Sequence, residues 1–216
     1  MQITIREPGS AITHFVGMMM ALIAATPLLI KAALSSGSLG LPAMTVFILS
    51  MILLYGASAT YHSVNLSGKA LRFFKKLDHM MIFVLIAGTY TPVCLIILGG
   101  PLGYTLLTVV WGIALFGIIL KACWVTCPKW FSSMIYIAMG WVCLGVFGTL
   151  WDALPHAAFL WLLAGGIFYT VGGVIYALKL PIFNGKHKYF GSHEIFHIFV
   201  MIGSICHFIF MYRYVI

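Results

Sequence analysis

Apolar stretches of about 20 residues, the length of helix that crosses the hydrocarbon core of a bilayer, recur along the whole chain. They fall near residues 11–34, 42–63, 79–98, 103–122, 131–150, 157–178 and 193–214. Seven such segments predict an all-α polytopic membrane protein with seven transmembrane helices and residues 1–216 as one domain. Composition agrees. Hydrophobic residues make up 62% of the chain and charged residues 7%, against roughly 45–50% and about 25% in ordinary globular chains. Mean hydropathy is +1.09. A soluble fold needs polar surface that this chain lacks, which excludes a soluble enzyme, a secreted disulfide scaffold and a disordered protein. The first apolar run is too long for a signal-peptide core and has no sizeable basic segment before it, so no cleavable leader is expected. No repeat suggests a two-halved transporter.

Gly, Pro and Ser punctuate the segments: Ser35 to Ser38, Asn65 to Gly68, Gly99-Gly100-Pro101, Asp152 to Pro155 and Pro181 to Gly191. The net charge of +8 reads as topology, and no nucleic-acid partner is expected. Ten basic residues gather on the N-terminal side: Arg6, Lys69, Arg72, Lys75, Lys76, Lys121, Lys129, Lys179, Lys186 and Lys188. Only Lys31 and Arg213 lie on the other. The positive-inside rule therefore predicts a cytoplasmic N-terminus and an outside C-terminus. Pro27 and Pro92 are expected to kink the first and third helices. The glycines of the fifth and sixth helices (Gly140, Gly145, Gly148, Gly165, Gly166, Gly172, Gly173) suit close helix contacts. Trp130 and Trp151 fit an interfacial belt. Five cysteines imply no disulfide framework, and the Cys123-x-x-x-Cys127 pair reads as two small buried thiols rather than a metal site.

The ionisable groups concentrate at one end. Glu7, Asp78 and Glu194 lie on the N-terminal side, as do His14, His62, His79, His187, His193 and His197. Cost alone explains some clustering, since a charge at a helix end is cheaper than one at the bilayer centre. It explains paired spacings less well. Ser58 stands one helical turn, about 6 Å, from His62. His193 and His197 are four apart, the spacing by which two imidazoles of one helix ligate one metal ion. Asp78-His79 is expected to open the third helix. Together His62, His193 and His197 form a candidate zinc site with an open fourth position, where a bound water becomes nucleophilic near neutral pH. Asp78 would hold that water and accept its proton, and Ser58 would anchor a histidine or polarise a scissile carbonyl. Blander readings stand beside these: Asp78 as an N-cap or dipole-favoured carboxylate, and Ser58 as a packing hydroxyl. His193-Glu194-x-x-His197 also matches the metalloprotease pattern with Glu as base. A protease would need a third ligand elsewhere, and the one acid outside the cluster, Asp152, is expected on the opposite side, so this reading ranks lower.

Ser58-x-x-x-His62, Leu77-Asp78-His79, Ala87-Gly88-Thr89-Tyr90-Thr91-Pro92, Ala138-Met139-Gly140-Trp141, His193-x-x-x-His197 and Cys206-His207-Phe208 resemble the hemolysin III family. That family is the bacterial branch of the progestin and adipoQ receptor (PAQR) membrane proteins, and the likeness covers nearly the whole chain. It implies zinc on His62, His193 and His197, with Asp78 holding the water and Ser58 supporting the site. It also implies a multi-pass protein of the bacterial plasma membrane whose partners are membrane lipids. In the wider superfamily such sites are associated with hydrolysis of lipid amides; the bacterial branch is linked to membrane lipid homeostasis, and its name records cytolysis. Glu194 exceeds what the family pattern asks for, leaving open whether Asp78 alone is the base. Glu7 and His14 resemble positions near the start of bacterial members, and neither is expected to ligate the metal. Two functions follow: a metal-dependent lipid hydrolase, or a membrane-perturbing or membrane-sensing protein with a structural zinc.

Overall fold

Within a bilayer every backbone amide must be satisfied inside its own segment, so uncharged runs rich in Leu, Ile, Met and Ala become helices. The computed structural model describes residues 5–35, 37–178, 187 and 189–216, and these contain helices and no strand. The helices are α1 (Pro8–Ser35), α2 (Gly37–Ser63), α3 (Gly68–Pro92), α4 (Gly100–Cys123), α5 (Lys129–Gly140), α6 (Phe147–Ala153), α7 (His156–Leu178) and α8 (Ser192–Phe210). Seven units are long and apolar enough to cross a membrane, with α5 and α6 together forming the fifth. The chain is a multi-pass membrane protein. Helix α1 packs on α2, α2 on α3, and α7 on α8, and α8 returns against α1. Phe47, Phe83, Phe210, Leu28 and Met44 are completely buried among them.

Three local expectations are corrected. The third helix starts at Gly68, behind Ser67 as its N-cap residue, and not near residue 79. Hydropathy marks where a helix enters the apolar layer; the basic turns from Lys69 to Lys76 continue the same helix below it. Asp78 thus lies three turns inside α3, where neither the N-cap nor the helix-end dipole reading applies. The fifth span is not one regular helix: a 3₁₀ stretch, Val142–Val146, separates α5 from α6. Tyr90 of α3 braces this break, donating its hydroxyl to the Gly140 carbonyl at 2.6 Å and accepting the Cys143 N–H at 3.0 Å.

The glycines divide accordingly. On the Cβ side of Gly140, Gly145 and Gly148 no atom of the described residues lies within 4 Å, so these three glycines do not serve the close contacts expected of them. Those of the sixth span are present: a Cβ on Gly165 would strike the His207 ring, and one on Gly172 would lie 2.9 Å from Phe199. Helix α1 runs through Pro27 without a break, whereas at Pro92 α3 passes into a π-helical stretch, Val93–Leu98. The turn that follows needs left-handed backbone at Gly99 (φ 57°) and Gly100 (φ 52°), which glycine adopts without a steric penalty. Trp130 and Trp151 are exposed at opposite ends of the fifth span. All five cysteines are free, but Cys123 at the end of α4 is exposed and only Cys127 of that pair is buried. Lys179, Lys186, Lys188 and most of the Pro181 to Gly191 connection lie outside the described residues.

Candidate metal centre

Because α2 ends and α8 begins at the same end of the bundle, the last turn of one meets the first turn of the other. His62 is the penultimate residue of α2; His193 and His197 are one turn apart at the start of α8. The structure brings their ring nitrogens together, with one ligand atom from each lying within 4.8 Å of the others. His62 Nε2 and His193 Nε2 are 3.3 Å apart. Two nitrogens on one tetrahedral zinc at about 2.05 Å would stand roughly 3.3–3.4 Å apart. A single hydrogen bond would account for that pair alone; it leaves the third ring unexplained.

The outer nitrogens are fixed as a metal site requires. His62 Nδ1 meets the Glu7 carboxylate. His197 Nδ1 lies 3.0 Å from Thr13 Oγ1, whose proton already serves the Ser10 carbonyl at 2.9 Å. The network therefore assigns the imidazole protons to both Nδ1 atoms, leaving each Nε2 with a lone pair. The Glu7 backbone N–H also donates to the His62 carbonyl at 3.0 Å. The His62 hydrogen bond, assisted by Arg6, holds the Glu7 carboxyl down at about 2. Buried imidazoles, a soft–hard borderline donor set, fit zinc.

Ser58 is buried, and its hydroxyl has no hydrogen-bond partner among the described residues. Such an orphan is rare and marks a place where a further polar group belongs. Asp78 is buried too, with Oδ2 3.3 Å from His79 Nδ1, which also faces the Lys75 carbonyl at 2.9 Å. Asp78, His14, His193 and His197 line one cavity. This cavity continues past Trp141, Tyr169 and Thr170 to His207, Leu150 and Phe159, and its walls are overwhelmingly apolar. From His193 to His207 the helix rise alone is about 21 Å.

Glu194 stands apart from this arrangement. One oxygen takes the Ser10 hydroxyl, and the other takes the Gly191 N–H at 2.8 Å, so Glu194 caps the start of α8 from its third position. It is not among the residues lining the cavity that holds Asp78. The carboxylate of the His-Glu-x-x-His pattern is thus spent on the helix start, and the third histidine comes from α2.

Sequence reasoning missed the contribution of α1 and the residue before it. Glu7, Ser10, Thr13 and His14 all touch the histidine cluster or its cap, and His14 stacks on His197 at 3.6 Å between ring centres, nearly parallel at 10°. The available signal was the i, i+3, i+7 spacing of Glu7, Ser10 and His14 on one helical face.

A family model described as haemolysin-III related matches residues 2–208. The chain is 39% identical over 210 residues to Hemolysin-3 of Bacillus cereus, covering 97% of this chain and 92% of that one. It is also 39% identical over 202 residues to a Hemolysin-3 homolog of Bacillus subtilis, covering 93% and 91%. A progestin and adipoQ receptor-like protein 1 of Caenorhabditis elegans is 28% identical over 187 residues, covering 75% of this chain and 41% of the relative.

Proposed function

This chain belongs to the haemolysin-III related family, and we propose that within it the protein is a zinc-dependent hydrolase of lipid amide or ester bonds. Its role is in membrane lipid homeostasis, and its setting is the bacterial plasma membrane, with the N-terminus cytoplasmic and residues 1–216 acting as one domain. The observation that carries this reading is the convergence of three histidines, two of which, His193 and His197, line the polar end of a long apolar cavity. His62, His193 and His197 would hold the zinc. When bound, the ion polarises a carbonyl and makes water a nucleophile at neutral pH. Asp78 takes up the proton released from that water at a carboxylate oxygen. Ser58, whose buried hydroxyl has no hydrogen-bond partner among the described residues, would support the site by anchoring a histidine or polarising the carbonyl. Glu7 and Thr13 keep His62 and His197 in the tautomer that presents Nε2. The apolar walls exclude bulk water and accommodate an acyl chain, which is why the substrate class is lipid.

The test is zinc content and lipid-amide hydrolysis of the purified protein beside His62→Ala and Asp78→Asn. Loss of both properties in the first variant, with only turnover lost in the second, is expected. No lipid-amide turnover by the zinc-loaded wild type overturns the hydrolase, and turnover that survives Asp78→Asn overturns the role given to Asp78. The name of the Bacillus cereus relative favours a second reading, a cytolytic or membrane-sensing protein with a structural zinc. Against it, structural zinc usually has four protein ligands, and three converge among the described residues. Liposome leakage undiminished by Asp78→Asn would favour it.

A further inference from the structure

A second polar cluster lies where α4 hands over to α5, apart from the histidines. Lys121 is 1% exposed. Its ammonium donates to Ser132 Oγ at 2.5 Å and to Cys127 Sγ at 3.0 Å, and the sulfur lies 3.2 Å from Ser132 Oγ. A cation withdrawn from water needs a compensating negative charge. The chain has four acidic side chains, and none is here. Glu7 pairs with Arg6 and His62, Asp78 with His79, and Glu194 with Ser10 and Gly191. Asp152 is exposed at the far end of the fifth span. Tyr136 turns its ring toward Lys121, 5.8 Å away, while its hydroxyl donates to the His79 carbonyl at 3.0 Å, so the phenol keeps its proton. Of the groups touching Lys121 among the described residues, only the Cys127 thiol can supply the charge.

We propose that Cys127 stands as a thiolate paired with the Lys121 ammonium, and that this pair is a modification site for small soft electrophiles and organic hydroperoxides. Burial by itself would raise the Cys127 thiol, but the hydrogen bonds from Lys121 and Ser132 outweigh it and hold the thiol below its ordinary range. The other titratable groups acting on the sulfur's surroundings are Tyr136 of α5 and Tyr176 of α7, the latter covered by Lys129 at 4.3 Å. Cys127 is 7% exposed and sits between α4 and α5, outside the membrane-spanning segments. With a hydroperoxide, the sulfur attacks the terminal oxygen and the O–O bond breaks. Lys121 Nζ gives one proton to the departing alkoxide. The products are a sulfenic acid on Cys127, an alcohol and a neutral Lys121 amine; sulfur loses two electrons and the peroxide gains them.

The experiment is iodoacetamide labelling of the full chain from pH 6 to pH 9, read at each cysteine by peptide mass spectrometry. The pH profile of a rate is independent of how freely the reagent reaches the sulfur, so free glutathione serves as the reference thiol. A reference thiol should gain about tenfold per pH unit below its pKa, and Cys127 less than about twofold over the whole range. In Lys121→Met the Cys127 rate at pH 6.5 should fall at least about tenfold and become steep in pH. After cumene hydroperoxide, dimedone should mark Cys127 in the wild type and not in Lys121→Met. A wild-type Cys127 profile that follows free glutathione, or a Cys127 that never labels, overturns the proposal. This holds even if Lys121→Met fails to fold.

Discussion

Helix α8 carries histidines at both ends of one cavity, and they are used differently. At its start, His193 and His197 turn ring nitrogens toward His62 of α2, while α1 supplies Thr13 to the outer side of His197. Four turns on, His207 is buried like His197, but its Nε2 faces the Leu162 carbonyl at 3.1 Å and its ring rests on Gly165 beside Tyr169. Residue type and helix are shared. What differs is company: convergent lone pairs in one place, a backbone carbonyl and a glycine seat in the other. A buried histidine in a membrane helix is therefore read by where its second nitrogen goes.

The largest expected effect separates the two ends outright. His62→Ala or His193→Ala should take zinc from about one ion per chain to none, and His207→Ala should leave it in place. Elemental analysis of chelator-free preparations checks this, and metal lost equally in all three would erase the distinction. Next comes the support for the site. Glu7→Gln should weaken zinc binding by about 10–100-fold, and Thr13→Ala by less, measured by competition with a chromophoric chelator. At the other end the effect should fall on stability instead. Gly165→Ala forces a Cβ into the His207 ring and should cost about 1–3 kcal/mol in detergent-solubilised unfolding, with metal content unchanged. Tyr90→Phe should cost about 1–2 kcal/mol, since it removes both bonds that brace the break after α5. Smallest is Gly148→Ala in open space, expected within about 0.5 kcal/mol of wild type. A cost as large as that of Gly165→Ala would mean that the Gly148 face packs against something after all.

The seven spans were legible because hydropathy is a local property and each segment meets the bilayer on its own. The His193/His197 pair was legible for the same reason, as four residues fix one helical face. Helix ends were less so. The charged first turns of α3 look like a loop to any hydropathy window, so Asp78 was placed at a helix start when it lies inside the bundle. The break after Gly140 depends on Tyr90, a residue 50 positions away, and no local pattern reports it.

By itself, the sequence determined that this chain is a bundle of seven apolar helices with its ionisable groups at one end, because burial cost and periodicity are written residue by residue. It also named the three histidines that meet. Only the tertiary structure decided that α1 closes around them, that Glu7 and Thr13 hold their outer nitrogens, and that Glu194 caps a helix instead of facing the cavity. Those are choices of which helix lies beside which, and they arise from packing between distant segments, which no single segment encodes.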